Sequence, residues 1–225
     1  MTKAFDLVRH SLLFRKMVSS GLSLIFIRIL IFIYAMQSAN VRWNSSVSDF
    51  FSLSNGVKQG GVLSAILYCF YCNDLFNQLR EMKSGCWING EYMGILGYSD
   101  DNLLIAPSRS SLQSMLSVCE EYARVHNLKF STDKNPAKCK TKCLKFLKNE
   151  RFVKPLDLCG NPLPWVDGAK HLGSFIENKI DGLKKDIRMK RAEYINRLGM
   201  KVGEFLNDFI VLINVLSTLH PDVLL

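Results

Sequence analysis

The sequence predicts an α+β fold, and three observations support this prediction. Apolar residue types make up 48% of the 225 residues, which is enough to bury a sizeable core. Two apolar runs flank the polar segment Ser99-Asp100-Asp101-Asn102, as in a hairpin. An amphipathic helix and a further apolar run at residues 144–147 follow directly. A hairpin, a helix and a strand in succession form the layer that is typical of α+β domains.

Charge and cysteine content indicate the class of partner and the compartment. Lys and Arg number 29 against 20 acidic residues, and the net charge of +9 favours nucleic acid or an anionic membrane surface as partner.

The seven cysteines, an odd number, predict a reduced intracellular protein, nuclear or cytoplasmic. Cys69 with Cys72 and Cys139 with Cys143 have the spacing of half a zinc site each. The two pairs lie far apart in sequence, which favours buried free thiols over metal ligands.

The first long element is predicted to be a helix over residues 7–36, interrupted near residues 19–21. Its apolar run at residues 22–36 approaches the length of a membrane span. Arg28 lies in the middle of that run, where membrane insertion would cost about 2.5–3.5 kcal/mol. We therefore predict a central core helix with Arg28 at its rim, and a membrane span is the alternative.

The next elements are set by turn signals and helical periodicity. Pro107-Ser108 is a helix-start signal, and the apolar periodicity that follows predicts an amphipathic helix that extends to about His126. Asn89-Gly90 is a strong hairpin signal. The remaining predicted elements are short strands at residues 41–43 and 50–53, a helix at residues 61–80, and hairpin strands at residues 86–88 and 92–95.

Two basic segments follow in the second half of the sequence. Residues 133–154 carry eight Lys or Arg against two acids, and residues 179–201 carry eight against three. The second segment has helical periodicity. Such segments are either solvated helix faces or a track for a phosphate backbone.

The acidic hairpin is the most informative feature for chemistry. Asp100 and Asp101 are adjacent at a turn between apolar strands, where like charges raise each other's pKa unless a cation neutralises them. Mg2+ prefers such oxygen ligands, and a pair of these ions can support phosphoryl-transfer chemistry. The alternative is an ordinary turn, in which Asp is favoured for local hydrogen bonding.

Five segments, in the expected order, resemble sequence boxes of reverse transcriptases. The residues in these boxes resemble those of the non-LTR (LINE-type) retrotransposon branch. The segments are K-A-F-D-x-V-x-H at residues 3–10, G-V-x-Q-G-x-x-L-S at residues 56–64, Y-x-D-D at residues 98–101, a lysine box at residues 140–142, and H-L-G at residues 171–173.

The resemblance implies a fold, a reaction and partners. The fold would be a right-hand polymerase palm, an antiparallel sheet backed by helices. Residues 1–155 would form the palm and part of the fingers, and residues 156–225 the primer-grip region and the start of a helical thumb. The reaction would be RNA-directed DNA synthesis, with two Mg2+ ions, an RNA template, a DNA primer and a deoxynucleotide.

The same resemblance assigns catalytic roles. Asp100 and Asp101 would bind the metal pair. Lys140 would protonate the leaving pyrophosphate, and Lys138 and Lys142 are alternatives for this role.

Further residues would bind nucleotide and primer. Phe5 would lie under the sugar as a steric gate, and Gln59, Gly60 and Tyr98 would complete the nucleotide site. The segment that would hold the primer end comprises His171, Leu172 and Gly173.

One departure from the family pattern concerns the metal site. The aspartate that opens the first box would precede Lys3 by three positions, ahead of Met1, and Asp6 is not assigned to replace it. We therefore expect a fragment with an open sheet edge beside the acidic hairpin and little polymerase activity. A non-enzymatic nucleic-acid-binding remnant is the alternative function.

Overall fold

The computed structural model describes residues 4–147, 153–172, 174–177 and 208–213. A short 3-10 turn at Phe5–Leu7 precedes the helices. The helices in this part of the chain are α1 (His10–Ser19), α2 (Leu24–Ala35), α3 (Ser64–Glu81) and α4 (Arg109–His126). The second basic segment, residues 179–201, and its predicted helix lie outside the described residues.

The strands are mostly short and pair antiparallel with one another. In chain order they are β1 (Ser38–Ala39), β2 (Arg42–Trp43), β3 (Ser46–Val47), β4 (Phe51–Ser52), β5 (Trp87–Ile88), β6 (Glu91–Tyr92), β7 (Ile95–Tyr98), β8 (Asp101–Ala106), β9 (Lys142–Leu147), β10 (Asp157–Leu158), β11 (Asn161–Pro162), β12 (Gly168–His171), β13 (Ser174–Glu177) and β14 (Asp208–Ile213).

Local sequence signals account for several of these elements. Ser108 caps α4, because its Oγ accepts a hydrogen bond from the Ser111 backbone N–H at 3.1 Å. Asn127, with a φ of 55°, ends the same helix. Asn89 and Gly90 both have positive φ and join β5 to β6, as the hairpin signal predicts. The predicted break in the first helix is confirmed, since α1 ends at Ser19 and α2 begins at Leu24.

The prediction that the first apolar run forms a core helix is wrong. α2 lies at the surface, where Ile25 is 73% and Phe32 is 66% exposed, and Arg28 is exposed as well. Its contact with α1 includes Tyr34, whose ring packs edge-on against His10 at 4.9 Å. A run that is apolar on every side carries no periodicity to show which face is buried. None of the helices in the described ranges is long and apolar enough to cross a membrane.

The central sheet has the strand order β7-β8-β14-β9, with every neighbouring pair antiparallel. One face packs on α3 and α4 through side chains that include Leu104 and Ala106 of β8. The other face, through Leu103 of β8, contacts side chains from the β12–β13 hairpin, including Ala169. The alternation along β8 therefore separates a helix-covered face from a hairpin-covered face.

The edge of β8 that we expected to be open is paired. β14 lies between β8 and β9, and Ile213 is opposite both Leu103 and Lys142. The six residues of β14 also form a strand within the segment predicted to start a helical thumb. Strand pairing across such a sequence separation is a tertiary choice that no local signal specifies.

A mostly buried cation, Lys16, joins α1 to α3 and α4. Lys16 Nζ forms an ion pair with Asp74 at 2.9 Å and donates hydrogen bonds to the Tyr71 carbonyl at 2.6 Å and to the Tyr122 hydroxyl at 2.8 Å. Nζ also lies 5.2 Å from the centres of both tyrosine rings. The ring of His126 stacks on Tyr122 with 3.7 Å between centroids. All three ammonium protons thus have acceptors, which is the condition for burying the charge.

Replacing Lys16 by Met should lower the free energy of unfolding by about 1–3 kcal/mol, because the ammonium and its hydrogen bonds are lost. The matched control is Arg15→Met on the exposed side of the same helix, which should change stability by less than about 0.5 kcal/mol. Urea denaturation followed by circular dichroism measures both. Equal stabilities for the two variants would show that the Lys16 cluster contributes nothing.

Proline at Ile210 should test the central position of β14. The backbone of Ile210 pairs with Ala106 on one side and Lys145 on the other, so the substitution removes a ladder donor at a cost of about 1–3 kcal/mol. Hydrogen exchange should then quicken at the amides of both β8 and β9, and Ile210→Val should leave that protection intact. Unchanged protection of β8 and β9 in I210P would contradict the sheet order.

Candidate active site

The two adjacent aspartates lie at the tip of the β7–β8 hairpin, as predicted. Tyr98 and Asp101 are the last paired residues, and Ser99 and Asp100 form the connecting turn. Ser99 adopts a φ of 56°, a conformation that tight hairpin turns require and that few side chains favour. Tyr98 is 69% exposed at the end of β7. The hairpin therefore holds two carboxylates side by side at one end of the sheet.

The environment of Asp101 disfavours its charge. Partial burial raises the pKa of the Asp101 carboxyl, and the neighbouring Asp100 raises it further. His171 acts in the opposite direction and lowers this pKa, and its hairpin, β12–β13, packs on the sheet face that carries Leu103, two residues beyond Asp101. His171 and Asp101 therefore belong to one electrostatic site.

Helix α3 lies behind the tip and connects it to the start of the chain. Burial raises the pKa of the Tyr68 hydroxyl well above its usual value, and Cys72 and Asp100 raise it further. The Tyr68 ring stacks on Phe5, with 5.0 Å between centroids and 27° between planes. Tyr68 therefore packs against Phe5 and lies within electrostatic reach of Asp100.

The segment at residues 5–10 is bound along the segment at residues 55–59 by backbone hydrogen bonds. The Val57 N–H donates to the Phe5 carbonyl at 2.8 Å, and the Gly56 N–H donates to the Val8 carbonyl at 2.7 Å. Gly56 has a φ of +91°, and a Cβ there would lie 3.1 Å from the Cα of Asp6. Only glycine fits this close approach without strain.

Gln59 and Gly60 follow at the surface. Gln59 Nε2 donates a hydrogen bond to Asp6 Oδ1 at 3.2 Å, and both side chains are exposed. Gly60 has a φ of +77° with open space where a Cβ would stand. The turn ends at Ser64, whose hydroxyl donates to the Lys58 carbonyl as α3 begins. Phe5, Asp6 and Gln59 thus share one surface.

The lysine segment lies at the same end of the sheet as the acidic tip. Lys142 starts β9 and is aligned across β14 with Leu103, two residues beyond Asp101 in β8. Two strand spacings separate such positions, or about 10 Å. Lys142 Nζ donates to the Pro136 carbonyl at 3.4 Å, and Lys140 is exposed in the preceding loop. The register thus brings this segment towards the hairpin.

The predicted primer-grip segment is a hairpin turn. His171 pairs with Ser174 at the end of β12, and Leu172 is 52% exposed with a φ of 48°. Gly173 lies outside the described residues. This hairpin packs on the sheet face opposite the helices, which explains its position near Asp101.

The carboxylates at the tip supply some of the ligands that a hard divalent cation needs. Two carboxylates offer oxygen ligands, and the raised pKa of Asp101 reflects a repulsion that a cation would remove. Within the ranges that the structure describes, no three or more His, Cys, Asp or Glu side chains are grouped to hold a metal ion. The tip therefore supplies part of a ligand set.

Three of the four cysteines considered as zinc ligands are buried free thiols, as we predicted. These are Cys72, Cys139 and Cys143, whereas Cys69 is exposed on α3. Burial raises the pKa of the Cys72 thiol to about 12, which disfavours the thiolate that zinc requires.

Sequence reasoning missed two residues of this site. Tyr68 is one of several aromatic residues in a predicted helix, and nothing local distinguishes it. Asp6 carries a signal in the K-A-F-D box, but a strand there would have turned it away. The segment is instead a 3-10 turn, which leaves Asp6 next to Gln59.

Comparison with known proteins identifies relatives that come from transposable elements. The chain is 26% identical over 152 residues, 68% of its length, to the Retrovirus-related Pol polyprotein from type-1 retrotransposable element R2 of Nasonia vitripennis, and covers 14% of it. It is 26% identical over 158 residues, 67% of its length, to the Probable RNA-directed DNA polymerase from transposon X-element of Drosophila melanogaster, and covers 16% of it. A third relative, the Pol polyprotein from type-2 retrotransposable element R2DM of Drosophila melanogaster, is 25% identical over 60% of the chain, which covers 13% of it.

The chain thus spans between 13% and 16% of the length of these relatives. Residues 1–150 match the family Reverse transcriptase (RNA-dependent DNA polymerase). They contain the hairpin, the Phe5 segment and the Gln59 turn described above. The chain therefore belongs to the reverse transcriptase family, in its non-LTR (LINE-type) retrotransposon branch.

Proposed function

We propose that the chain is the polymerase module of a LINE-type retrotransposon, acting on an RNA template, a DNA primer and a deoxynucleotide. The observation that carries the proposal is the position of Tyr68. Its ring stacks on Phe5, its hydroxyl is within electrostatic reach of Asp100, and Asp6, next to Phe5, is hydrogen-bonded to Gln59. In this proposal, nucleotide-binding and metal-binding groups that are far apart in sequence would form one continuous site.

The residues of the tip would act on the reacting phosphate. Asp100 and Asp101 would hold Mg2+ ions, which when bound would activate the primer 3′-hydroxyl and stabilise the leaving pyrophosphate. Lys140, exposed at the same end of the sheet, would donate a proton to that pyrophosphate. Lys142 is a weaker candidate, because its ammonium already donates to a carbonyl.

The other residues would position the substrates. The Phe5 ring is held by Tyr68 and would exclude a 2′-hydroxyl from the nucleotide site. Gln59, Gly60 and Tyr98 are exposed and would contact nucleotide or template. His171 acts electrostatically on Asp101, and its turn would hold the primer end.

In this proposal the central sheet with α3 and α4 is the polymerase palm. The order β7-β8-β14-β9 places the acidic hairpin at one side and the lysine segment at the other. The resemblance implies three metal-binding carboxylates, whereas the tip supplies two. We therefore propose that synthesis by this chain alone is weak.

A non-enzymatic nucleic-acid-binding function is the second candidate. It is favoured by the net charge of +9 and by the two-carboxylate tip. Such a protein would bind nucleic acid without regard to the identity of the next nucleotide, which separates the two functions experimentally.

The proposed function predicts a nucleotide-dependent complex. Fluorescence anisotropy of a labelled DNA primer on an RNA template should show tighter binding with Mg2+ and the complementary deoxynucleotide than with a mismatched one. Asp100→Asn should abolish this difference, and Asp49→Asn, an exposed acid in the β3–β4 connection, should preserve it. Binding that is equal for all four nucleotides would favour the non-enzymatic function.

Primer extension by the 225-residue chain should give a low yield that falls to background in Asp100→Asn. The expected reason is the incomplete ligand set at the tip. Gel analysis of extended primers over time measures it. Robust Asp100-dependent synthesis would confirm the polymerase function and overturn the expectation of weak activity.

Asp101→Asn should stabilise the fold at pH 7. Because the folded pKa of Asp101 is raised, the wild type loses stability as pH rises from about 3.8 through that folded pKa. The neutral variant escapes this loss, so its Tm advantage should be present at pH 7 and smaller at pH 4. Solvent screening limits the gain to less than about 1 kcal/mol, or about 2–4 °C for a chain of this size.

Mg2+ should raise the Tm of the wild type at pH 7 and leave that of Asp101→Asn nearly unchanged. Differential scanning fluorimetry with and without Mg2+ gives both readings, and Asp49→Asn is the control. An equal response of the wild type and Asp101→Asn to Mg2+ would rule out the tip as the binding site.

A further inference from the structure

Helix α2 has two apolar faces, and its own domain covers one of them. The inner face consists of Ile27, Leu30 and Tyr34, all of which are buried. It packs on α1, where the Tyr34 ring lies edge-on against the rings of His10 and Phe14. A spacing of i, i+3 and i+7 is that of a helix face buried in its own domain. The inner face therefore anchors α2 without any contribution from the other side.

The outer face of α2 is exposed. Its centre is a line of four side chains spaced i, i+4, i+7 and i+11, and each is more than half exposed: Ile25 at 73%, Ile29 at 53%, Phe32 at 66% and Met36, which caps the helix, at 70%. At about 100° per residue this line points away from the inner face. The spacing is the one with which a helix presents a continuous apolar seam to a second helix.

The exposed apolar area around the seam is that of an interface between protein molecules. Eight large apolar side chains from Leu24 to Met36 are 42–73% exposed. At about 100 Å² each they present up to about 800 Å², which is what one partner contributes to a stable interface. Monomers seldom expose so large an apolar patch. The area of this face therefore calls for a protein partner.

The composition of α2 favours a second copy of the chain over a lipid surface. A helix that lies on an anionic membrane carries a strongly basic face beside its apolar one. In α2 the inner and outer faces are both apolar, and Arg28 is the single charged residue. The fitting partner is a helix with an uncharged seam of the same spacing, and a second copy supplies one.

We propose that two copies of the chain pair through α2, with the two helices antiparallel about a two-fold axis. Ile29 of each copy then lies opposite Phe32 of the other, and Ile25 lies opposite Met36. The two Arg28 residues are separated by about 7 Å along the helix axis, so their like charges do not meet. Because the same face serves both copies, one contact covers both seams and the assembly closes at two.

The oligomeric state of the 225-residue chain, freed of nucleic acid, tests the pairing. Sedimentation equilibrium at micromolar concentration should give twice the 25.6 kDa mass of one chain. Phe32→Glu should weaken the dimer about a hundredfold or more, because the seam would bury a carboxylate. Val125→Glu, at a half-exposed apolar position of α4, adds the same charge elsewhere and should leave the dimer intact.

Circular dichroism should show equal helix content in both variants, since Phe32 and Val125 are exposed in the single chain. A wild type that is monomeric would overturn the proposal. A dimer that survives in a folded Phe32→Glu variant would overturn it as well.

Complementary charges test the antiparallel arrangement and do not depend on one variant alone. Ile29→Glu and Phe32→Lys should each be monomeric, and their equimolar mixture should recover the dimer. In the mixed pair the introduced carboxylate faces the introduced ammonium, and the second contact between positions 29 and 32 stays apolar. In a parallel pair, position 29 would face position 29, so a mixture that stays monomeric would overturn the antiparallel arrangement.

Flotation with vesicles of phosphatidylcholine and phosphatidylserine tests a lipid surface as the occupant. Any binding through basic residues should be equal in the wild type, Phe32→Glu and Val125→Glu, because the seam is covered by the second copy. Binding that Phe32→Glu abolishes and Val125→Glu preserves would show that the seam contacts lipid, and it would overturn the proposal.

Discussion

The site depends on the docking of the first described residues onto the segment before α3. Backbone hydrogen bonds from Gly56 and Val57 hold this docking, and the missing Cβ of Gly56 permits the close approach. Without it, Phe5 would not be held against Tyr68 and Asp6 would not reach Gln59. A contact between two short irregular segments therefore positions the groups that the proposed function assigns to the nucleotide.

The second constraint is electrostatic. The hairpin places two carboxylates next to each other and partly buries one, so the pKa of Asp101 is raised by burial and by its neighbour. This arrangement is unfavourable for an unliganded fold and favourable for a cation site. His171 of the β12–β13 hairpin acts in the opposite direction and lowers the pKa of Asp101.

Much of the fold could be predicted from local signals. The capped helix α4, the Asn89-Gly90 turn, the acidic hairpin and the break between α1 and α2 each depend on a few neighbouring residues. The exposure of α2 and the insertion of β14 could not be predicted in this way. A uniformly apolar run does not show which side is buried, and strand order depends on which distant segments meet.

For the site, the sequence by itself determined which residues carry the chemistry. Asp100, Asp101, Phe5, Gln59 and the lysine and His171 segments are recognisable because box order and spacing are properties of the chain. Only the tertiary structure decided how they are arranged, including the roles of Tyr68 and Asp6 as neighbours of those groups. The physical reason is that stacking, hydrogen bonding and charge repulsion act over a few ångströms in space, and distance along the sequence does not report them.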